Sequence, residues 1–203
     1  TTNVTITETW NGSSWTEVAD MNTAKTNFAT SRGSTTVMLV FGESTNESFN
    51  GSSWTEIAEP NTNRIQLMGS GADNTSALAF GGYTPAPAAS ALTESYNGSS
   101  WTEVNDLNLA RGNGTGVGIV TASLCFSGYT AQTSPNYPVV VEKWDGTSWT
   151  EKTDISTARS AGGSFGTSEA CFLVGGSPPS GGALTTVEEW TDPVTSTVTF
   201  TAS

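Results

Sequence analysis

Apolar residues in this chain come in short alternating or β-branched runs, and no stretch carries a convincing amphipathic helix period. Residues 105–152 show the pattern most clearly. Gly114-Thr115-Gly116-Val117-Gly118-Ile119-Val120 is one extended segment, and Ser123-Leu124-Cys125-Phe126 is a second, ended by Ser127-Gly128. A loop rich in Pro, Thr and Asn leads to Val139-Val140-Val141-Glu142-Lys143-Trp144. After Asp145-Gly146 comes Ser148-Trp149-Thr150-Glu151. This reads as four short strands, the last two joined by a tight hairpin in which Asn-Gly or Asp-Gly supplies the positive φ of a type I′ turn.

The hairpin is written four times. It runs Trp10-Asn11-Gly12-Ser13-Ser14-Trp15-Thr16-Glu17, then Phe49-Asn50-Gly51-Ser52-Ser53-Trp54-Thr55-Glu56, then Tyr96-Asn97-Gly98-Ser99-Ser100-Trp101-Thr102-Glu103, then Trp144-Asp145-Gly146-Thr147-Ser148-Trp149-Thr150-Glu151. The second Trp recurs at spacings of 39, 47 and 48 residues. Four short antiparallel strands at that period describe one blade of a β-propeller.

The motifs resemble those of kelch-type propellers, in which a glycine pair ends the second strand, an aromatic lies on the third and a Trp on the fourth. Here the pair is Gly81-Gly82 and Gly175-Gly176, degraded to Gly42-Glu43 and Ser127-Gly128; the aromatics are Trp10, Phe49, Tyr96, Trp144 and Trp190. The resemblance covers nearly the whole chain and implies an all-β fold: one small propeller domain, residues 1–203, of four or five four-stranded blades. Its units are 1–18 (partial), 19–58, 59–104, 105–152 and 153–203. The count is uneven, with four copies of the first two strands and five candidates for the third. Either Val194–Phe200 adds a strand that helps the chain ends close one blade, or the surplus strands pair with another subunit.

Charges ride the repeat. Five residues after each fourth-strand Trp stands an acid (Asp20, Glu59, Asp106, Asp154) and ten after it a base (Lys25, Arg64, Arg111, Arg159). Two before each third-strand aromatic stands Glu8, Glu47, Glu94, Glu142 or Glu188. In a ring these make either an axial anion site or acid–base pairs that tie the blades. The candidate binding residues are accordingly Lys25, Arg64, Arg111 and Arg159, with Tyr83 and Tyr129 in the variable loops that follow the second strands.

Composition narrows the chemistry. The absence of histidine excludes a Ser-His-Asp triad and His-ligated metal. No phosphate loop or metal-ligand cluster stands out, so neither catalytic residues nor a cofactor or metal are expected. Cys125 and Cys171 lie in apolar runs, as buried thiols do; a disulfide is the alternative. A formal charge of −12 disfavours nucleic acid and anionic lipid as partners, and no run of 18 apolar residues exists for a membrane helix. The repeats also resemble kelch-like virion and tail-fibre proteins of marine bacteriophages, cyanophages especially. That resemblance implies a non-enzymatic structural or adhesive protein, extracellular or in a virion, contacting other protein subunits or the host surface. The alternative is a lectin-like binder of cell-surface glycan. A glycan-active hydrolase or lyase, or a cytosolic kelch adaptor, ranks below both.

Overall fold

The computed structural model describes residues 4–43, 45–85, 88–132 and 136–192, and all regular elements in them are strands. Val194–Phe200 lies outside the described residues. A two-stranded hairpin comes first, β1 (Glu8–Trp10) and β2 (Trp15–Glu17). Three four-stranded antiparallel meanders follow. The first is β3 (Ala29–Thr30), β4 (Met38–Phe41), β5 (Asn46–Phe49) and β6 (Trp54–Ile57). The second is β7 (Met68–Asp73), β8 (Ser76–Phe80), β9 (Thr93–Tyr96) and β10 (Trp101–Val104). The third is β11 (Thr115–Ile119), β12 (Ala122–Phe126), β13 (Val141–Trp144) and β14 (Trp149–Lys152). The last sheet has three strands, β15 (Gly163–Gly166), β16 (Ala170–Val174) and β17 (Val187–Thr191). The expectation of four-stranded blades thus holds for three sheets. The terminal ones carry two and three strands among the described residues.

The sheets are ordered around an axis by their first strands. β7 packs on β3 and β11, β11 packs on β15, and no comparable packing brings β15 back to β3 or to the β1–β2 hairpin. Crowding at this axis explains the glycines of the inner strands. A Cβ on Gly69 would stand 2.5 Å from the Phe41 ring, and one on Gly116 would stand 2.5 Å from the Phe80 ring. The second-strand aromatic of one sheet therefore lies where the next sheet has no side chain.

Between sheets the core is built from one recurring contact. Leu39 and Phe41 pack on Ala77, Ala79, Tyr96 and Trp101; Leu78 and Phe80 pack on Cys125, Trp144 and Trp149; Leu124 and Phe126 pack on Cys171 and Leu173, with Trp190 at the edge. Burying large aromatics in each wedge removes apolar area from water at about 25 cal/mol per Å². The indole N–H groups of Trp54, Trp101, Trp144, Trp149 and Trp190 are also satisfied. Trp54 donates to Ala19 O and Trp101 to Ala58 O, both in the segment leaving the preceding sheet. Cys125 and Cys171 are free and buried, as thiols in apolar runs are expected to be.

The glycine pair has a geometric reason at all four positions. Gly42-Glu43, Gly81-Gly82, Ser127-Gly128 and Gly175-Gly176 each place both residues at positive φ. That double turn aims the second residue's N–H at the next sheet: Glu43 donates to Arg64 O (3.0 Å), Gly82 to Arg111 O (2.9 Å) and Gly128 to Arg159 O (3.1 Å). The hairpin turn departs from the expected type I′. Only its Gly has positive φ (94–98°), and the strands pair as Trp10↔Trp15, Phe49↔Trp54, Tyr96↔Trp101 and Trp144↔Trp149 around four-residue loops. The Asn or Asp side chain does the work instead. Asn50 Oδ1, for example, accepts the N–H groups of Ser52 and Ser53, both at 3.0 Å. This short polar side chain replaces a backbone turn bond, which removes the need for a second left-handed residue.

These contacts make opposite predictions for two substitutions. Gly69→Ala overpacks the axis against Phe41 and lowers stability by about 1–3 kcal/mol. Glu43→Gly relieves a side chain held at φ 65° and leaves the protein as stable or about 0.5–1 kcal/mol more stable. Urea denaturation followed by Trp fluorescence reads both.

Candidate binding face

The bases that precede each first strand point inward and bond within their own sheets. Arg64 donates to Glu94 Oε1 at 2.9 Å, and also to Gly81 O at 2.7 Å and Leu92 O at 2.6 Å. Arg111 pairs with Glu142, Arg159 with Glu188, and all three guanidiniums are buried. Lys25, also buried, donates to Thr45 Oγ1 at 3.2 Å, with Glu59, Glu47 and Glu43 around it. Burial pulls its ammonium below the ordinary lysine range and pushes the Glu59 carboxyl above the ordinary glutamate range.

Each of these glutamates has a second task that the sequence period alone does not reveal. Its carboxylate collects backbone N–H groups from the segment entering its own sheet. Glu47 accepts from Asn22 N (2.8 Å) and Thr23 N (2.9 Å), and Glu94 from Asn61 N (2.6 Å) and Thr62 N (3.4 Å). Glu142 accepts from Asn108 N (2.7 Å) and Leu109 N (3.3 Å), and Glu188 from Ser156 N and Thr157 N. The available signal was an Asn seven residues after the Trp, at Asn22, Asn61 and Asn108. Asn22 and Asn108 also donate their side-chain amides to the same carboxylates. The acids at the fifth position tie third strands in place: Glu59 accepts from Asn46 N and Asp106 from Thr93 N.

Two residues beyond each base lies a row of backbone bonds, sheet to sheet, that the sequence reading missed. Gln66 N donates to Asn27 O (3.3 Å), Asn113 N to Gln66 O (2.8 Å) and Ala161 N to Asn113 O (2.7 Å). Gln66, Asn113 and Ala161 all sit at positive φ, 51–55°. Non-glycine residues rarely hold that conformation without surrounding support, here the inter-sheet bond each one makes. Further along the first strands, away from these bonds, a cavity of ≈170 Å³ opens, lined chiefly by Thr30, Ser31, Ser70, Ser164 and Phe165, with Arg32 its one charged lining side chain among the described residues.

The two loop tyrosines are brought together. Tyr83 and Tyr129 stack at 5.6 Å, and Tyr137 lies 5.5 Å from Tyr129. Tyr83 is buried and donates its hydroxyl to Tyr129 O, and burial pushes its phenol well above the ordinary range. Tyr129 is half-buried and touches Gln66 and Asn113 through its hydroxyl, while Gln132 donates to Gln66 Oε1 at 3.1 Å. A bridge between Ala88 and Ala131 joins the two loops. The result is a rim of aromatic rings and side-chain amides at the base-bearing end of the axis.

No protein-family model and no curated protein matches this chain. Among solved structures, that of YjhT superposes with a TM-score of 0.76 at 11% identity, over 90% of this chain and 71% of that one. This is a propeller-like fold. The identity is low enough that the likeness carries architecture and no more, so the binding face has to be argued from this chain's own residues.

The Arg–Glu pairs give the prediction. Removing one partner of a buried pair strands the other charge, at a cost of about 3–5 kcal/mol. Arg111→Met therefore unfolds at markedly lower urea concentration. Glu142→Leu costs at least as much, since it also orphans the amides of Asn108 and Leu109. Equilibrium unfolding of the two variants and the parent checks the order.

Proposed function

We propose that this protein is a non-enzymatic structural or adhesive module that works by contact, as a virion or fibre component touching other subunits or a host surface. What carries the reading is the way the repeated charges are spent. Arg64, Arg111 and Arg159 and their glutamates, the residues a ring would offer to a ligand, each bond within their own sheet. The frame is constant and the connections between second and third strands differ. Four residues separate β4 from β5, twelve β8 from β9, fourteen β12 from β13 and twelve β16 from β17. Variable loops on a rigid frame are where recognition is placed. The strongly acidic body and the resemblance to kelch-like phage fibre repeats fit a life outside the cell.

A second reading is favoured by the tyrosine rim. Tyr129 and Tyr137 beside Gln66, Asn113 and Gln132 offer ring faces and amide groups of the kind that hold sugars, so host contact through cell-surface glycan is the lectin-like form of the same module.

The test is location and contact. Antibody raised to the purified protein, applied to phage particles from a lysate that encodes it, labels the particles, and mass spectrometry finds the chain in them. A protein confined to the infected cell's soluble fraction, absent from particles and unable to bind host cells, would contradict the module reading. For the glycan form, Tyr129→Ala abolishes cell binding that soluble host polysaccharide competes for.

A further inference from the structure

Three inter-sheet contacts inside this chain share one construction. The outgoing face of a sheet, centred on its second strand, packs on the incoming face of the next, centred on the hairpin aromatics. The ring pairs are Phe41–Trp101 at 5.3 Å, Phe80–Trp149 at 4.9 Å and Phe126–Trp190 at 6.5 Å. Among the described residues, both halves of that construction stand uncovered at the two ends of the array.

At one end is the outgoing face of the β15–β17 sheet. Phe172 occupies the position of Leu39, Leu78 and Leu124, all fully buried, yet is 39% exposed. Phe165, its register partner on β15, is 55% exposed, and Val187 is 59% exposed. Cys171 and Leu173 on the opposite face of the same strand are buried against β12, so the sheet is covered on one side only.

At the other end is the incoming face of the β1–β2 hairpin. The rings of Trp10 and Trp15 lie 5.5 Å apart, tilted, in the same paired position as Phe49–Trp54, Tyr96–Trp101 and Trp144–Trp149, which are buried. Here they are 46% and 64% exposed, and Val4 and Ile6, three and two alternations before Trp10, are exposed as well. Contiguous apolar area of this kind marks an interaction surface.

We propose that a second copy of the chain covers these faces: the outgoing face of one copy, Phe165, Phe172 and Val187, packs on the Trp10–Trp15 face of the next. The occupant follows from continuity, because the chain already contains three examples of what such a face binds, each the incoming face of another of its own repeats. The contact is heterologous, different surfaces meeting head to tail, so it builds open chains or a ring of copies. Two bodies of charge −12 repel, and screening salt therefore strengthens the association. The inference deepens the structural-module reading and rests on it.

The experiment is sedimentation velocity on the purified protein in low and high salt, with Trp15→Asp and Phe172→Asp. The parent associates beyond the monomer, more so in high salt. Each variant alone loses one of the two complementary faces, cannot propagate and sediments as a ~21 kDa monomer. Mixed one to one, the variants restore a dimer, since Trp15→Asp keeps its outgoing face and Phe172→Asp its hairpin face. Ile6→Asp and Val187→Asp carry the same expectation should either first variant fail to fold. A parent that stays monomeric at every salt concentration overturns the proposal, as does association that both variants leave intact, or mixing that yields nothing. A monomeric parent that is nonetheless present in particles would sink this inference alone. Association by a protein absent from particles and inert toward host cells would sink the module reading instead.

Discussion

A carboxylate on the third strand holds each of the four larger sheets together, and in three of them (Glu47, Glu94 and Glu142) it is fully buried. Glu94 and Glu142 lie out of water, where an isolated negative charge is prohibitively costly. Each is held by an arginine from the segment that enters its sheet and by two backbone N–H groups from the same segment. The node links two stretches that are remote in sequence: the segment that leads from one sheet into the next, and the third strand of that next sheet. It fixes the point at which the chain turns inward to the axis. The wedge of Trp and Phe between sheets, the left-handed pair after each second strand and the axial row of backbone bonds all depend on that turn being made at one place.

Much of this was legible in the sequence because it repeats. The strands, the Trp positions and the glycine pairs follow from period and alternation, and the structure places them in consecutive antiparallel meanders. Other features were not legible, for physical reasons that differ. The hairpin turn was misread because Asn11, Asn50, Asn97 and Asp145 can serve a turn in two ways, by adopting positive φ or by accepting N–H groups through the side chain, and they do the second. The recurrence of Arg64, Arg111 and Arg159 was visible. Whether they point to the axis or into the sheet depends on burial, which a period does not encode. Tyr83 and Tyr129 stand out as loop aromatics in the sequence, but their stacking required two loops from neighbouring sheets to meet.

The same logic separates frame from function. Positions that recur are consumed by the frame: the glutamate by its node, the hairpin Trp by the wedge with the preceding sheet, the second residue of the glycine pair by its bond to the following sheet. What does not recur is left over for contact, namely the connections after the second strands and the two outermost sheet faces. Repetition gives like residues at like places, which suits stacking and assembly far better than the convergence of unlike groups that catalysis needs.

Native-state hydrogen exchange tests the node most directly. The amides of Asn61, Thr62, Asn108 and Leu109 belong to no strand, yet each donates to a glutamate carboxylate. They should exchange as slowly as amides of β8 and β12, opening only when the sheets themselves come apart. Exchange at the rate of the hairpin tips, Ser52 or Ser99, would show that the entry segments open on their own and that the carboxylate node does not organise the fold.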